Sequence, residues 1–219
     1  MTKETPSKTG SRRDFLKKST ILVAGSTVAG NLQIARAAHP YGDETIKIGL
    51  VGCGGRGTGA AVQAMNTNGE VNIVAMADVF EDRLQGSYRA IKSKHGDKVK
   101  VTKDTMFTGL DAYKQVLEAD IDLIILATPP GFRPLHFEAA VNAGVHVFME
   151  KPVATDAPGV RRVLDANKIA VDKNLCVQVG LQRRHEPAYI ETIARLKDGA
   201  IGDINLGRVY WNGGGVWVR

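Results

Sequence analysis

The sequence predicts an α/β fold, a doubly wound parallel sheet with helices on both faces, and three observations carry that prediction. Short apolar, β-branched runs alternate with longer helical segments from Ile46 onward. The first run, IKIGLV at 46–51, stops at a glycine loop. A later run, DLIILA at 122–127, is almost unbroken in its apolarity, the pattern of a strand buried on both faces. Such alternation implies a parallel sheet with right-handed crossovers.

The glycine loop is the most informative segment. Gly52, Gly54 and Gly57 follow the first strand at the spacing G-x-G-x-x-G. Gly52 allows the tight turn off the strand, and Gly54 lets the backbone approach a pyrophosphate. Gly57 lets the next helix, expected over 58–65, pack close to the sheet with its N–H groups aimed at the phosphates. A second strand at 71–77 ends on Asp78, 21 residues past Gly57, where a carboxylate accepts hydrogen bonds from an adenosine ribose. The pattern predicts a Rossmann-type dinucleotide site built from Gly52, Cys53, Gly54, Gly55, Arg56, Gly57 and Asp78. The competing reading is a structural turn in a chain with 24 glycines. Asp78 favours NAD over NADP, because a carboxylate repels a 2′-phosphate, although Arg83 lies nearby.

Beyond Asp78 the expected order is a helix over 83–94 broken at 95–97, a short strand near 98–102 and a helix over 110–117. The strand at 122–127 then ends at Thr128-Pro129-Pro130. A helix over 134–143 is stopped by Gly144, and a strand follows at 145–149. A helix over 157–173 is capped by Thr155 or Asp156, with Pro158 tolerated in its first turn. A strand at 177–179 closes the series. Residues 46–181 thus suffice for a complete domain with its own core. Residues 182–219 read as the incomplete start of a second α/β open-sheet domain, with a helix over 186–197, a turn at 198–202 and a strand at 204–211. One helix and one strand are not a domain. Either a partner supplies the missing sheet, or the chain is the front part of a longer protein, which is the favoured expectation.

Residues 1–37 read differently. Ser11-Arg12-Arg13-Asp14-Phe15-Leu16-Lys17-Lys18 pairs two arginines ahead of apolar and basic residues, 19–30 is mildly apolar, and Ala35-Arg36-Ala37 is a small-x-small cleavage pattern. The segment resembles a twin-arginine export leader cut after Ala37, with 38–45 as linker, and predicts a periplasmic or exported protein. A membrane anchor is disfavoured, because the apolar run is about half the ~20 residues a spanning helix needs. A disordered basic tail would require neither the apolar segment nor the cleavage pattern. The leader holds seven basic and two acidic residues, so of the chain's net charge of +6 the rest carries +1. The basic balance is therefore no sign of nucleic-acid binding. Cys53 and Cys176 are read as buried fillers, without a disulfide. The five histidines show no metal-ligand spacing.

Three further segments point to a family. Glu150-Lys151-Pro152 ends the string AGVHVFMEKP, and with GCGGRG, the Asp78 strand end, ATPP at 127–130 and VGLQRRHEPAY at 179–189 it resembles the glucose–fructose oxidoreductase and inositol dehydrogenase family (Gfo/Idh/MocA). The resemblance covers essentially all of 46–219. It implies a Rossmann domain followed by a large open-sheet domain, and hydride transfer between a nicotinamide cofactor and a sugar, inositol or related polyol. Several members are exported by the twin-arginine route with cofactor bound. A homo-oligomer is the expectation for the full-length protein.

The residues themselves support that chemistry. Oxidising a secondary alcohol requires a hydride acceptor beside the carbon and a base in reach of the hydroxyl proton. Ligands of parallel sheets bind beyond the strands' carboxyl ends, and Lys151 lies two residues past one. A partly desolvated lysine there is placed to exchange the proton. The resemblance implies the same role for Lys151, with Glu150 near the nicotinamide ribose and Pro152 shaping the turn. The alternative is a solvated Glu-Lys pair at a strand end. Thr128 and Pro129 are expected at a cofactor ribose, against a plain strand-ending turn. His136 resembles the family histidine that follows the T-P segment, but at longer spacing, so a structural role at the helix start competes. Gln182, Arg183 and His185 are substrate candidates, while Arg184 and Tyr189 fit a domain interface equally well. The family's second acid/base group has no counterpart in this chain. Three function classes follow: an NAD-dependent polyol or sugar oxidoreductase, a relative using NAD for redox-neutral glycoside cleavage or sugar rearrangement, and a non-catalytic NAD-binding fragment or sensor.

Overall fold

A computed structural model describes residues 45–210 together with 212 and 213. The leader reading of 1–37 and the linker up to residue 44 lie outside the described residues, as does Trp211. Among the described residues no helix is long and apolar enough to cross a membrane.

Six parallel strands form one sheet in the order β3-β2-β1-β4-β5-β6. They are β1 (Ile46–Val51), β2 (Val71–Asp78), β3 (Met106–Thr108), β4 (Leu123–Leu126), β5 (His146–Met149) and β6 (Val177–Val179). Helices α1 (Gly55–Met65), α2 (Glu81–His95), α3 (Ala112–Glu118), α4 (Arg133–Ala143) and α5 (Ala157–Asp172) connect them, and α6 (Pro187–Lys197) follows β6. The direction of winding reverses between β1 and β4. A crevice opens at that point, beyond the carboxyl ends of the central strands, and doubly wound sheets bind ligands there.

Alternation along the strands splits the core into two layers. Ile48 and Leu50 of β1, Ile73 and Met76 of β2 and Ile125 of β4 pack with Ala61 and Met65 of α1 and Leu84 and Ile91 of α2. Val51, Ala75, Ala77, Ile124 and Leu126 pack on the opposite face with Val116 of α3, Phe137 and Val141 of α4, and Ala166 of α5. Both faces of the central strands are therefore dry beyond their first residues, which is why no polar side chain follows Lys47 in β1 or Asn72 in β2 before Asp78.

Local signals set the ends of several helices. Gly144 takes the left-handed conformation (φ 79°) and stops α4. Asp156, rather than Thr155, caps α5, its side chain accepting a hydrogen bond from the Gly159 N–H at 2.7 Å.

Three expectations need correction. Residues 98–102 form no strand; only Val99 bridges β2, at Ile73. The third strand is instead Met106–Thr108, three residues paired with the end of β2. Residues 204–210 are irregular and exposed, because no neighbouring strand among the described residues supplies the hydrogen bonds a strand requires. Cys53 is buried as expected, but Cys176 lies exposed just ahead of β6, which covers the sheet's edge poorly.

Candidate dinucleotide cleft

A cleft of about 1210 Å³ lies across the carboxyl ends of β1, β2, β4 and β5. Its floor is the glycine loop. Gly52 has φ +96°, a conformation that favours glycine, and a Cβ there would lie 2.6 Å from the Ala127 carbonyl carbon. At Gly57 a Cβ would sit 1.8 Å from the Gly52 carbonyl oxygen, so α1 starts in direct contact with the turn off β1. Gly54 differs from both. A Cβ there meets no protein atom within 4 Å, and no side chain caps the helix it begins. The first N–H groups of α1 therefore face an open space at the positive end of the helix. That cradle fits the diphosphate of a dinucleotide.

Asp78 holds this loop in shape as well as lining the cleft. Its Oδ2 accepts from the Cys53 N–H at 2.6 Å and its Oδ1 from the Phe80 N–H at 3.0 Å. Each carboxylate oxygen retains a second acceptor site, which leaves both open to a further donor from the cleft. Arg83 also lines the cleft. Behind the loop the Cys53 thiol donates to the Ala77 carbonyl, and burial, reinforced by Asp78, pushes its pKa up to about 12. Cys53 is thus a neutral filler. With Gly55 it lines a smaller concavity of about 310 Å³ on the other side of the loop.

The opposite wall comes from β4 and β5. Glu150, only 6% exposed, pairs its Oε1 with Arg56 Nε at 2.6 Å and so ties the end of β5 to the first turn of α1. Gly180 leaves room for this carboxylate, since a Cβ there would lie 2.8 Å from Glu150 Oε1. Lys151 follows on the cleft rim, and its peptide bond to Pro152 is cis. Lys151 is exposed, more so than the expectation of a partly desolvated lysine implies. Thr128 and Pro129 line the cleft.

His136 is a wall residue. It is 4% exposed, its Nδ1 lies 3.3 Å from Thr128 Oγ1, and its ring lies tilted by 32° against Tyr113 at 4.2 Å between centroids. Burial, together with the Arg133 charge, lowers its pKa to about 4. Gln182 reaches the cleft, whereas Arg183 and His185 are not among its lining residues. Arg183 pairs with Glu186 at 2.7 Å, and His185 Nε2 lies 3.2 Å from Gln178 Nε2. Both belong to the exposed surface around α6 in this structure.

One buried residue escaped the sequence reading. Arg133, the first residue of α4, is 2% exposed and donates to the main-chain carbonyls of Thr128 and Pro152. Burial lowers its pKa, with the Glu150 charge opposing that shift. Its only advance signal was a charge placed one residue before the otherwise apolar start of a helix.

A parallel sheet of this order, with an uncapped glycine-rich helix start facing the crevice, defines a dinucleotide-binding domain of the Rossmann class. The protein belongs to the Gfo/Idh/MocA oxidoreductase family, whose model, described as an oxidoreductase family with an NAD-binding Rossmann fold, matches residues 46–181. The inositol 2-dehydrogenase of Rhizobium meliloti (strain 1021) is 30% identical over 162 residues, covering 74% of this chain and 44% of that protein. Among solved structures, scyllo-inositol dehydrogenase from Lactobacillus casei, with bound NAD(H) and scyllo-inositol, superposes with a TM-score of 0.59 at 28% identity. That match covers 73% of this chain and 43% of the other. The WlbA dehydrogenase from Bordetella pertussis, in complex with NADH and UDP-GlcNAcA, has a TM-score of 0.59 at 26% identity, covering 74% and 42%. The chain spans less than half the length of these relatives.

The geometry separates two glycines that the motif treats alike. Gly54→Ala, at φ −71°, is expected to keep stability within about 0.5 kcal/mol while weakening NAD binding at least about tenfold. Gly57→Ala is expected to cost more than about 3 kcal/mol, because the obstructing atom is backbone. Urea unfolding and calorimetric titration on both variants check the pair.

His136 sets a pH dependence. Its folded pKa of about 4 lies below the ordinary 6.5, so between these values the unfolded chain binds the extra proton and stability falls as pH falls. The contribution is present above about pH 6.5 and is lost on approach to about pH 4, up to about 3 kcal/mol. Urea unfolding across that window should show the loss in the wild type and a flatter profile in His136→Gln.

Proposed function

We propose that the protein acts as an NAD-dependent oxidoreductase on the secondary alcohol of a sugar, inositol or related polyol. The observation that carries this reading is that Glu150 and Lys151, followed by Pro152, line the same cleft whose floor is the glycine loop. The N–H groups at the start of α1 hold the diphosphate, and Asp78 takes the adenosine ribose hydroxyls. Glu150 and Thr128 flank the nicotinamide end. NAD, when bound, supplies the hydride acceptor. Lys151 Nζ takes the hydroxyl proton of the alcohol, and its exposure leaves it open to an incoming substrate. Polyols as the substrate class are supported by inositol dehydrogenases among both the sequence relatives and the solved structures.

Lys151→Ala is expected to lower the rate of NADH formation from myo-inositol or a responsive sugar about 100-fold or more, with NADH affinity changed less than about threefold. A rate that barely moves makes Lys151 structural. Absence of NADH formation across a panel of free polyols and sugars overturns the oxidoreductase reading for this chain.

The same proposal includes export by the twin-arginine route, supported by the Arg12-Arg13 pair and the Ala35-Arg36-Ala37 pattern. Intact-mass measurement of the protein from a periplasmic fraction should give a chain beginning at Ala38. Full-length protein confined to the cytoplasm refutes it.

A further inference from the structure

Arg133 breaks two rules at once. A cation at the first position of a helix opposes the helix dipole, and a guanidinium removed from water loses hydration that only close partners replace. Yet Arg133 is 2% exposed, the bulkiest of the almost fully buried side chains. Its Nε is buried without a hydrogen-bond partner, which adds to the cost. A substitution-tolerant packing role is better served by leucine or methionine. Where local rules fail in an otherwise consistent fold, function is the first place to look for the compensation.

The partners of Arg133 say what that compensation is. One terminal nitrogen donates to the carbonyl of Thr128, two residues beyond β4, and the other to the carbonyl of Pro152, three residues beyond β5. These strands are neighbours, and their extensions carry the residues on either side of the cleft's nicotinamide end. Pro152 directly follows Lys151, whose own side chain is exposed, so the main chain beside it is what fixes its approach. The Glu150 charge on the same turn favours the cation. A planar fork with fixed nitrogen spacing spans two carbonyls, whereas an ammonium has no such fixed span.

We propose that Arg133 is a positioning residue, clamping the Thr128 and Pro152 carbonyls so that the two loops hold a nicotinamide between them with Lys151 facing it. This rests on the dinucleotide reading of the cleft given above. The clamp is expected to act on the nicotinamide end, since both of its hydrogen bonds go to the Thr128 and Pro152 carbonyls and neither goes to the glycine loop or Asp78.

The test compares two probes, NADH and ADP-ribose, which share the adenosine and diphosphate and differ in the nicotinamide. Calorimetric titration is made on the wild type, Arg133→Met and Arg133→Lys, with near-ultraviolet circular dichroism and thermal unfolding to establish folding. The wild type should bind NADH more tightly than ADP-ribose. Both variants should lose about tenfold or more in NADH affinity while ADP-ribose affinity changes less than about twofold, and lysine should not rescue. If the NADH-to-ADP-ribose ratio is unchanged in folded variants, or both ligands weaken together, the clamp is structural and the proposal is overturned. It is equally overturned if neither variant folds. A wild type that binds neither probe sinks the dinucleotide reading itself, a result distinct from a wild type that discriminates and variants that keep its ratio.

Discussion

The rest of the site depends on one close approach, that of α1 to the end of β1. With hydrogen at Gly57 the helix begins against the Gly52 carbonyl, and with a Cβ there it would have to move away. The glycine loop can then turn sharply enough for its N–H groups to point across the crevice. Asp78 fixes the same turn from the side, accepting the Cys53 N–H while lying at the end of the next strand. A single carboxylate thus couples the shape of the phosphate cradle to the position expected of the ribose. Deforming either one moves the other.

Charge is distributed across the cleft to the same end. Arg56 stands in the first turn of α1, where a cation is unfavourable, and Glu150 offsets it from the facing strand end. Arg133 repeats the arrangement on α4, with Glu150 again the nearby carboxylate. One buried acid therefore tempers two arginines, each at a helix start. The Arg56–Glu150 pair joins positions 94 residues apart in sequence, so it opposes opening of the crevice more than it stabilises any single element. Partly buried ion pairs of this kind add little net stability but specify geometry strongly.

Much of this was legible in the sequence because its causes are local. The turn at Gly52, the helix stop at Gly144 and the cap at Asp156 each follow from one residue's conformational or hydrogen-bonding preference. The buried strands β1, β2 and β4 follow from apolar runs, unbroken in β4 and interrupted by Lys47 in β1 and Asn72 in β2. The failures share the opposite cause. Strand β3 has three residues and acquires strand geometry only by pairing with β2, while the more apolar Val99 and Val101 drew the expectation upstream. Residues 204–210 have the composition of a strand but no neighbour among the described residues to pair with. Arg133 was invisible because a charged residue is read as solvated by default, and its two acceptors are main-chain carbonyls that carry no sequence signal.

The exposed side of the domain bears on the chemistry as well as on the fold. Ile190 and Ile193 of α6 and Leu206 and Val209 beyond it are all exposed. They follow β6, the sheet edge next to the Glu150-Lys151-Pro152 turn. A lysine that exchanges protons with an alcohol works best where water is scarce and the local dielectric is low. Lys151 is exposed, whereas the glycine loop, Asp78, Glu150 and Arg133 are held by protein contacts. The two halves of the cleft are therefore at different stages of completion. The phosphate and ribose side is preorganised by the sheet itself. The Lys151 side has its main chain held through the Pro152 carbonyl while the lysine side chain stands exposed.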